Sequence, residues 1–158
     1  MANLESRILK AITKAAGSSF WLRFELTSSN ILSTAADLTG AATGDLAVEQ
    51  VLLSTNSTGL ATGTNFEISQ SGETYGEDKP IVETVTNLGA SVSRSVIGGD
   101  TDATNVRILS VTGTPFILKA GVKLQYGCSG SSCTGAGKIL IAIKFTRLTN
   151  NADIQAAV

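Results

Sequence analysis

The chain has no histidine, only two cysteines and two prolines, and a single tryptophan. Without histidine, the usual base for a serine or cysteine nucleophile is missing. Without histidine or a third cysteine, the two cysteines lack the further Cys or His ligands of the usual structural zinc sets. Charged residues make up only 16% of the 158 residues. The lysines and arginines are scattered from Arg7 to Arg147 around a net charge of −1, so no clustered cations are available to neutralise phosphates, and nucleic acid is not expected as a partner. No apolar run approaches the roughly 18 residues that span a bilayer, and the longest, Ile139–Ile143, has the length of a strand. A membrane partner is therefore not expected. The opening Met-Ala-Asn-Leu-Glu has no basic region leading into an apolar stretch, which predicts synthesis in a cytoplasm without a secretory signal. Aromatics total 5%, which is poor for a lectin. Trp21 and Tyr75 would be the sugar platform if there were one, but Trp21 is expected to be buried.

What the chain has in quantity is small polar residues. Sixteen glycines accompany serines and threonines that make up about a quarter of the sequence. Few charges and a positive mean hydropathy exclude a disordered chain. The combination suits many short strands joined by Gly/Ser/Thr turns.

Residues 3–17 carry Leu4, Ile8, Ile12 and Ala15 at helical spacing, with Asn3 as N-cap and Gly17 as stop, and predict an amphipathic helix. It packs either on its own domain or, as an arm, on a neighbouring subunit. From Ser18 the period changes to two. Phe20, Leu22, Phe24 and Leu26 alternate with Trp21, Arg23 and Glu25. Further strands are predicted at 46–55, 65–69, 81–86, 91–97, 106–111, 116–126 with a bend at Ala120-Gly121, and 138–148. In the last, Ile139, Ile141, Ile143 and Phe145 face one way, and Leu140, Ala142, Lys144 and Thr146 the other. Residues 27–45 predict a long loop or arm, with one helical turn near 35–38, and 149–158 a tail. Arg94 falls on the valine side of 91–97, a device that blunts an edge or marks a subunit contact. About eight strands with turns at roughly ten-residue spacing predict an all-β antiparallel sandwich, jelly-roll-like, over 18–148, preceded by the N-terminal α-helix.

Cys128 and Cys133 lie in YGCSGSSCTGAG. Their spacing is not that of a CxxC redox pair. Two states remain open: a short disulfide across a loop tip, or two free thiols. Asp100 and Asp102 form a D-x-D pair of the kind calcium accepts, but the surrounding loop lacks the glycine and glutamate of an EF-hand, so an aspartate-capped turn is preferred. Glu73, Glu77 and Asp78 are expected to be solvated loop charges. Gly137-Lys138 has neither the Ser/Thr nor the helix that follows a phosphate-binding loop. No catalytic residue, metal site or cofactor is assigned. Small side chains on strand faces, which lose little entropy on burial, point instead to protein–protein contact.

Two segments, TGDLAVEQVLLSTNSTGLATGTNFEI (43–68) and FILKAGVKLQYGCSGSSCTGAGKILIAIKFTRL (116–148), resemble small structural proteins of tailed-bacteriophage virions, and capsid decoration (cement) proteins in particular. The resemblance implies a jelly-roll-like module at the capsid surface that binds the major capsid protein and further copies of itself, often as a trimer, with no catalytic residues. Leu4, Ile8 and Ile12 of the predicted helix, and Ile31, Leu32 and Leu38 of the 27–45 segment, are the expected partner contacts. A head-fibre or tail component, a receptor-binding module and a carbohydrate-binding module are the alternatives.

Overall fold

The computed structural model describes residues 14–60, 65–72, 82–84, 90–91, 93–97, 101–102, 106–107, 116–129 and 132–158. Most of the expected N-terminal helix, including Leu4, Ile8 and Ile12, lies outside these residues, as do Tyr75, Glu73, Glu77, Asp78 and Asp100. Lys14–Gly17 form a turn. Gly17 adopts φ +83°, a left-handed conformation that glycine accepts without a Cβ penalty, and its N–H bonds the Arg147 carbonyl at 2.6 Å.

Eleven strands follow among the described residues: β1 (Ser19–Thr27), β2 (Ala36–Asp37), β3 (Leu46–Thr55), β4 (Asn65–Gln70), β5 (Val82–Thr84), β6 (Ser93–Ile97), β7 (Thr101–Asp102), β8 (Val106–Arg107), β9 (Phe116–Leu118), β10 (Leu124–Ser129) and β11 (Lys138–Arg147). They form two sheets. The first runs β1-β11-β3-β6, with β9 also on β3; the second runs β2-β10-β4-β5-β8-β7. All pairings are antiparallel.

The order follows a simple rule. The outermost strands pair, β1 with β11; then β2 with β10; then β3 with β9 and β6; then β4 with β5. This is one long hairpin rolled up so that successive pairs alternate between sheets, which is the jelly-roll topology. The core lies between the sheets. From the first come Phe24, Leu26, Val51, Leu53, Ile139, Ile141, Ile143 and Phe145, and from the second Phe66, Ile68, Leu124, Tyr126 and Cys128, all buried. Register matches like with like: Leu22 lies opposite Ile143, Phe24 opposite Ile141 and Leu26 opposite Ile139.

Several expectations are corrected. The alternation in 46–55 is not continuous. The β3–β11 register shifts between Lys144 and Phe145, so Gln50 opposes Lys144 and Val48 opposes Phe145. Glu49 is the extra residue of a β-bulge, and inward parity switches from Leu46 and Val48 to Val51 and Leu53. Residues 116–126 are two strands in different sheets. Gly121, at φ +83°, turns the chain between them and donates its N–H to the Ala42 carbonyl at 2.8 Å.

Residues 27–45 are not an arm. A short 3₁₀ turn (Ser28–Asn30) is followed by β2, where a helical turn was expected, and Ile31, Leu38 and Ala42 enter the core. Fully burying an Ile or Leu side chain is worth about 1.5–3 kcal/mol, which is enough to hold the segment down. The last ten residues also dock. Ala152 and Ile154 are buried, and the Gly40, Thr43 and Ala157 N–H groups bond the carbonyls of Gln155, Asp153 and Leu38 at 2.9–3.0 Å. Short polar side chains hid this segment, because its order comes from backbone pairing across the molecule.

Candidate interface

The first sheet turns its second face outward. On β1 this face carries Trp21, Arg23 and Glu25; on β11, Lys138, Leu140, Ala142 and Lys144; on β3, Gln50, Leu52 and Ser54. Register assembles them into rows: Trp21–Lys144–Gln50, Arg23–Ala142–Leu52 and Glu25–Leu140–Ser54. The small Ala142 at the centre leaves a shallow open depression of about 370 Å³, bounded by Arg23, Leu52, Ser54 and Leu140. Leu140 is 53% exposed and Trp21 42%. Trp21 is therefore not the buried residue that its type suggested. It sits at an outward position of β1, where strand alternation overrides the tendency of tryptophan to be covered.

The rim of this face is ion-paired. Lys138 binds Glu25, and Lys144 binds Glu49 at 2.9 Å. Hydrogen bonds from Thr146 first, and then Lys144, hold the Glu49 carboxyl below its ordinary pKa. Arg23 has no ion-pair partner among the described residues.

Elsewhere, charges serve the fold. Asp37 accepts from Lys123 at 2.6 Å and Gln125 at 2.9 Å, and both lower its pKa, Lys123 more. Asp45 takes Lys119 at 2.7 Å and the Ala120 N–H at 3.0 Å, with the same effect. Burial pushes the Asp153 carboxyl up; the Lys14 hydrogen bond, the Ile154 N–H and the charges of Lys14 and Arg147 together outweigh it, so its pKa is lowered. Burial raises the Tyr126 phenol. Glu67 is a buried carboxylate whose backbone row across β4, β5 and β8 reads Glu67–Glu83–Arg107.

Arg147, the last residue of β11, is 6% exposed. Its Nε donates to the Ala152 carbonyl at 2.7 Å and its Nη1 to Ser18 Oγ at 3.2 Å, and its Nη2 lies 3.6 Å from Asp153. The guanidinium carbon lies 4.1 Å from the centre of the Phe20 ring, which stacks in turn on Phe145 at 5.4 Å. One side chain thus ties the entry of β1 to the C-terminal strap. Residue type alone did not mark Arg147; its inward parity on β11 is the signal that could have found it.

Cys128 and Cys133 are joined in a disulfide, both buried. Their N–H groups bond the Leu32 and Ile31 carbonyls at 2.9 Å, so the bridged loop grips the 31–32 segment. Of the expected contact residues in that segment, Ile31 and Leu38 are fully buried and have no side-chain surface to offer, while Leu32 is 47% exposed. Gly137 does not cradle a phosphate. A Cβ there would lie 1.5 Å from the Gly59 carbonyl oxygen, so the glycine permits close backbone approach. Among the described residues, no three His, Cys, Asp or Glu side chains gather in a way that could hold a metal ion.

No protein-family model and no curated protein matches the chain. Solved structures do. The chain is similar to one in the cyanophage Pam1 capsid asymmetric unit, with TM-score 0.48, 15% identity and coverage of 84% of this chain and 86% of that one. It is similar to one in the acid-stable capsid of Helicobacter pylori bacteriophage KHP30, with TM-score 0.45, 10% identity and coverage of 89% and 94%. A third is in the capsid of Ralstonia phage GP4, with TM-score 0.43, 14% identity and coverage of 84% and 86%. Likenesses at this level set no function for this chain.

Proposed function

We propose that the protein is a structural component of a phage virion that binds and stabilises the capsid shell, in the manner of a decoration protein. Its partners are the major capsid protein and further copies of itself, and its place is the capsid surface. The observation that carries this is the outer face of the first sheet: apolar at its centre around Leu140, Ala142 and Leu52, with the exposed Trp21 on the adjoining edge strand, ion-paired at its rim, and mounted on a two-sheet frame. An apolar centre within a polar rim is the anatomy of a protein contact surface. The two segments that resemble decoration proteins supply β3 and β4 and then β9 to β11, the middle of both sheets. Many copies, each bridging neighbouring shell subunits, would resist internal pressure through multivalency. Leu4, Ile8, Ile12 and the exposed Leu32 are proposed as further contacts.

The test is co-sedimentation with phage particles that lack the protein. The wild-type chain should saturate at a copy number matching the capsid lattice. Trp21→Ala/Leu140→Ser should weaken binding at least about tenfold, since truncating an aromatic or apolar anchor that acts as a hot spot costs about 2 kcal/mol or more. Removal of residues 1–13 should weaken binding too. Wild-type protein that stays in the supernatant would end the proposal. Saturation at the few copies of a tail would favour the fibre or tail alternative. The exposure of Trp21 is what favours the carbohydrate-binding alternative among the described residues, and specific signal on a glycan array that is lost in Trp21→Ala would support it.

A further inference from the structure

Sheet edges offer unpaired backbone groups, and proteins blunt them with shortness, bulges, proline, lysine or inward charges. At the other edges of the described sheets, β2 and β7 have two residues each, β9 has three and β6 has five. The β1 edge is different. It runs nine residues, pairs with β11 alone among the described residues, and keeps an unbroken register from Ser19–Thr146 to Thr27–Lys138. It contains no proline and no lysine, and its inward residues, Phe20, Leu22, Phe24 and Leu26, are all apolar. The hydrogen bonds flanking it, from the Arg147 N–H to the Ser18 carbonyl and from the Ser28 N–H to the Gly137 carbonyl, show that even-numbered residues face β11. Antiparallel alternation therefore aims the N–H and C=O of Ser19, Trp21, Arg23, Glu25 and Thr27 away from the sheet.

We propose that the β1 edge pairs antiparallel with β1 of a second copy, about a two-fold axis at Phe24, to join two first sheets into one. This deepens the proposed self-association but does not depend on attachment to a capsid. The register follows from charge. A continuous core face requires inward residues to oppose inward residues, so the axis passes through a residue position rather than between two. An axis at Arg23 sets Arg23 against itself, and one at Glu25 sets Glu25 against itself. An axis at Leu22 places Glu25 opposite Ser19. The axis at Phe24 alone places each Arg23 opposite Glu25 of the other copy, twice by symmetry. It also sets Leu22 against Leu26 and makes about eight backbone hydrogen bonds. Arg23 has no ion-pair partner among the described residues, and Glu25 engages Lys138 through Oε1, leaving Oε2 for the incoming guanidinium.

The test is the mass of the full chain in solution, by analytical ultracentrifugation over a concentration series. The wild-type protein should be a dimer. Arg23→Glu and Glu25→Arg singly should each weaken it by about tenfold or more, since each converts two opposite-charge pairs into like-charge pairs. The double reversal should bring dimerisation back to within about threefold of wild type. Both residues are exposed, and unchanged melting of each variant confirms that it folds. Removal of residues 1–13 should leave the dimer intact. A monomer or trimer in the wild type, reversals without effect, a double reversal that does not recover, or a dimer lost with residues 1–13 would each overturn the β1–β1 pairing. The particle-binding test above would stand in every one of these cases.

Discussion

Arg147→Met removes the fork that ties the C-terminal strap to β1 while keeping most of the volume of the side chain. The fully buried Ala152 would lose the bond to its carbonyl, a loss worth about 1–3 kcal/mol when a buried acceptor is left unsatisfied. The guanidinium over Phe20 would go too, worth about 0.5–2 kcal/mol. Ser18 Oγ keeps its bond to the Ala15 carbonyl and Asp153 keeps Lys14, so neither adds a large penalty. Relief from desolvating a charge works the other way. The net loss is about 3 kcal/mol, or about 6–12 °C in melting temperature for a chain of this size. A second readout locates the damage. Amide exchange should accelerate at Gly40, Thr43 and Ala157, whose N–H groups are held by or within the strap, and not at the β11 amides that pair with β3. A variant melting within about a degree of wild type with those three amides still protected would refute the latch.

Replacing Cys128 and Cys133 together with alanine opens a cross-link with a sequence separation of 5. The chain-entropy relation for so short a loop gives about 2 kcal/mol, so the melting temperature should fall by about 4–8 °C; an unchanged melt would show that the bridge does not constrain the unfolded chain. The pH response should be one-sided. With no histidine, stability should be flat from about pH 5 to 8. Asp37, Asp45, Glu49 and Asp153 all sit below their ordinary values of 3.8 and 4.5, so their stabilisation is complete above those values and drains as pH falls through the lower folded values. Melting followed from pH 6 to 2 should show loss beginning only below about pH 4.5, and Asp153→Asn should make it shallower. An onset near pH 6 would contradict this.

The long strands were legible because burial on one face imposes a two-residue rhythm that composition cannot hide. Phe20 to Leu26 and Ile139 to Phe145 read directly, and the structure sets them side by side in an unbroken antiparallel register. The bulge at Glu49 was written there as well, since two polar residues in succession, Glu49-Gln50, break the alternation. The 27–45 segment was not legible. Its anchors, Ile31, Leu38 and Ala42, are too far apart to make any period, and its hydrogen bonds go to Val122, Leu124, Cys128 and Cys133 in the last third of the chain. Order that depends on such distant partners leaves no local signature. The strap at 149–158 was missed for the same reason.

The candidate surface shows where local rhythm stops being informative. Parity assigned Leu140 and Ala142 to one face of β11 and set Trp21 on the face of β1 opposite Phe20 and Phe24, against the burial expected from its type, but parity does not say which strands adjoin. Only the rolled-hairpin topology sets Leu52 of β3 across from Ala142 and Arg23 on its other side, and so makes a depression of residues up to 119 positions apart. The same topology leaves β1, the first strand, outside β11 at the rim of the sheet. In this strand order the first strand forms a sheet edge and has β11 as its one neighbour among the described residues. The charge order Arg23-Phe24-Glu25 on that strand, unremarkable in a buried one, is therefore a statement about what can lie beside it: an antiparallel copy of itself satisfies both charges, and neither of the next registers, centred on Arg23 or on Glu25, does.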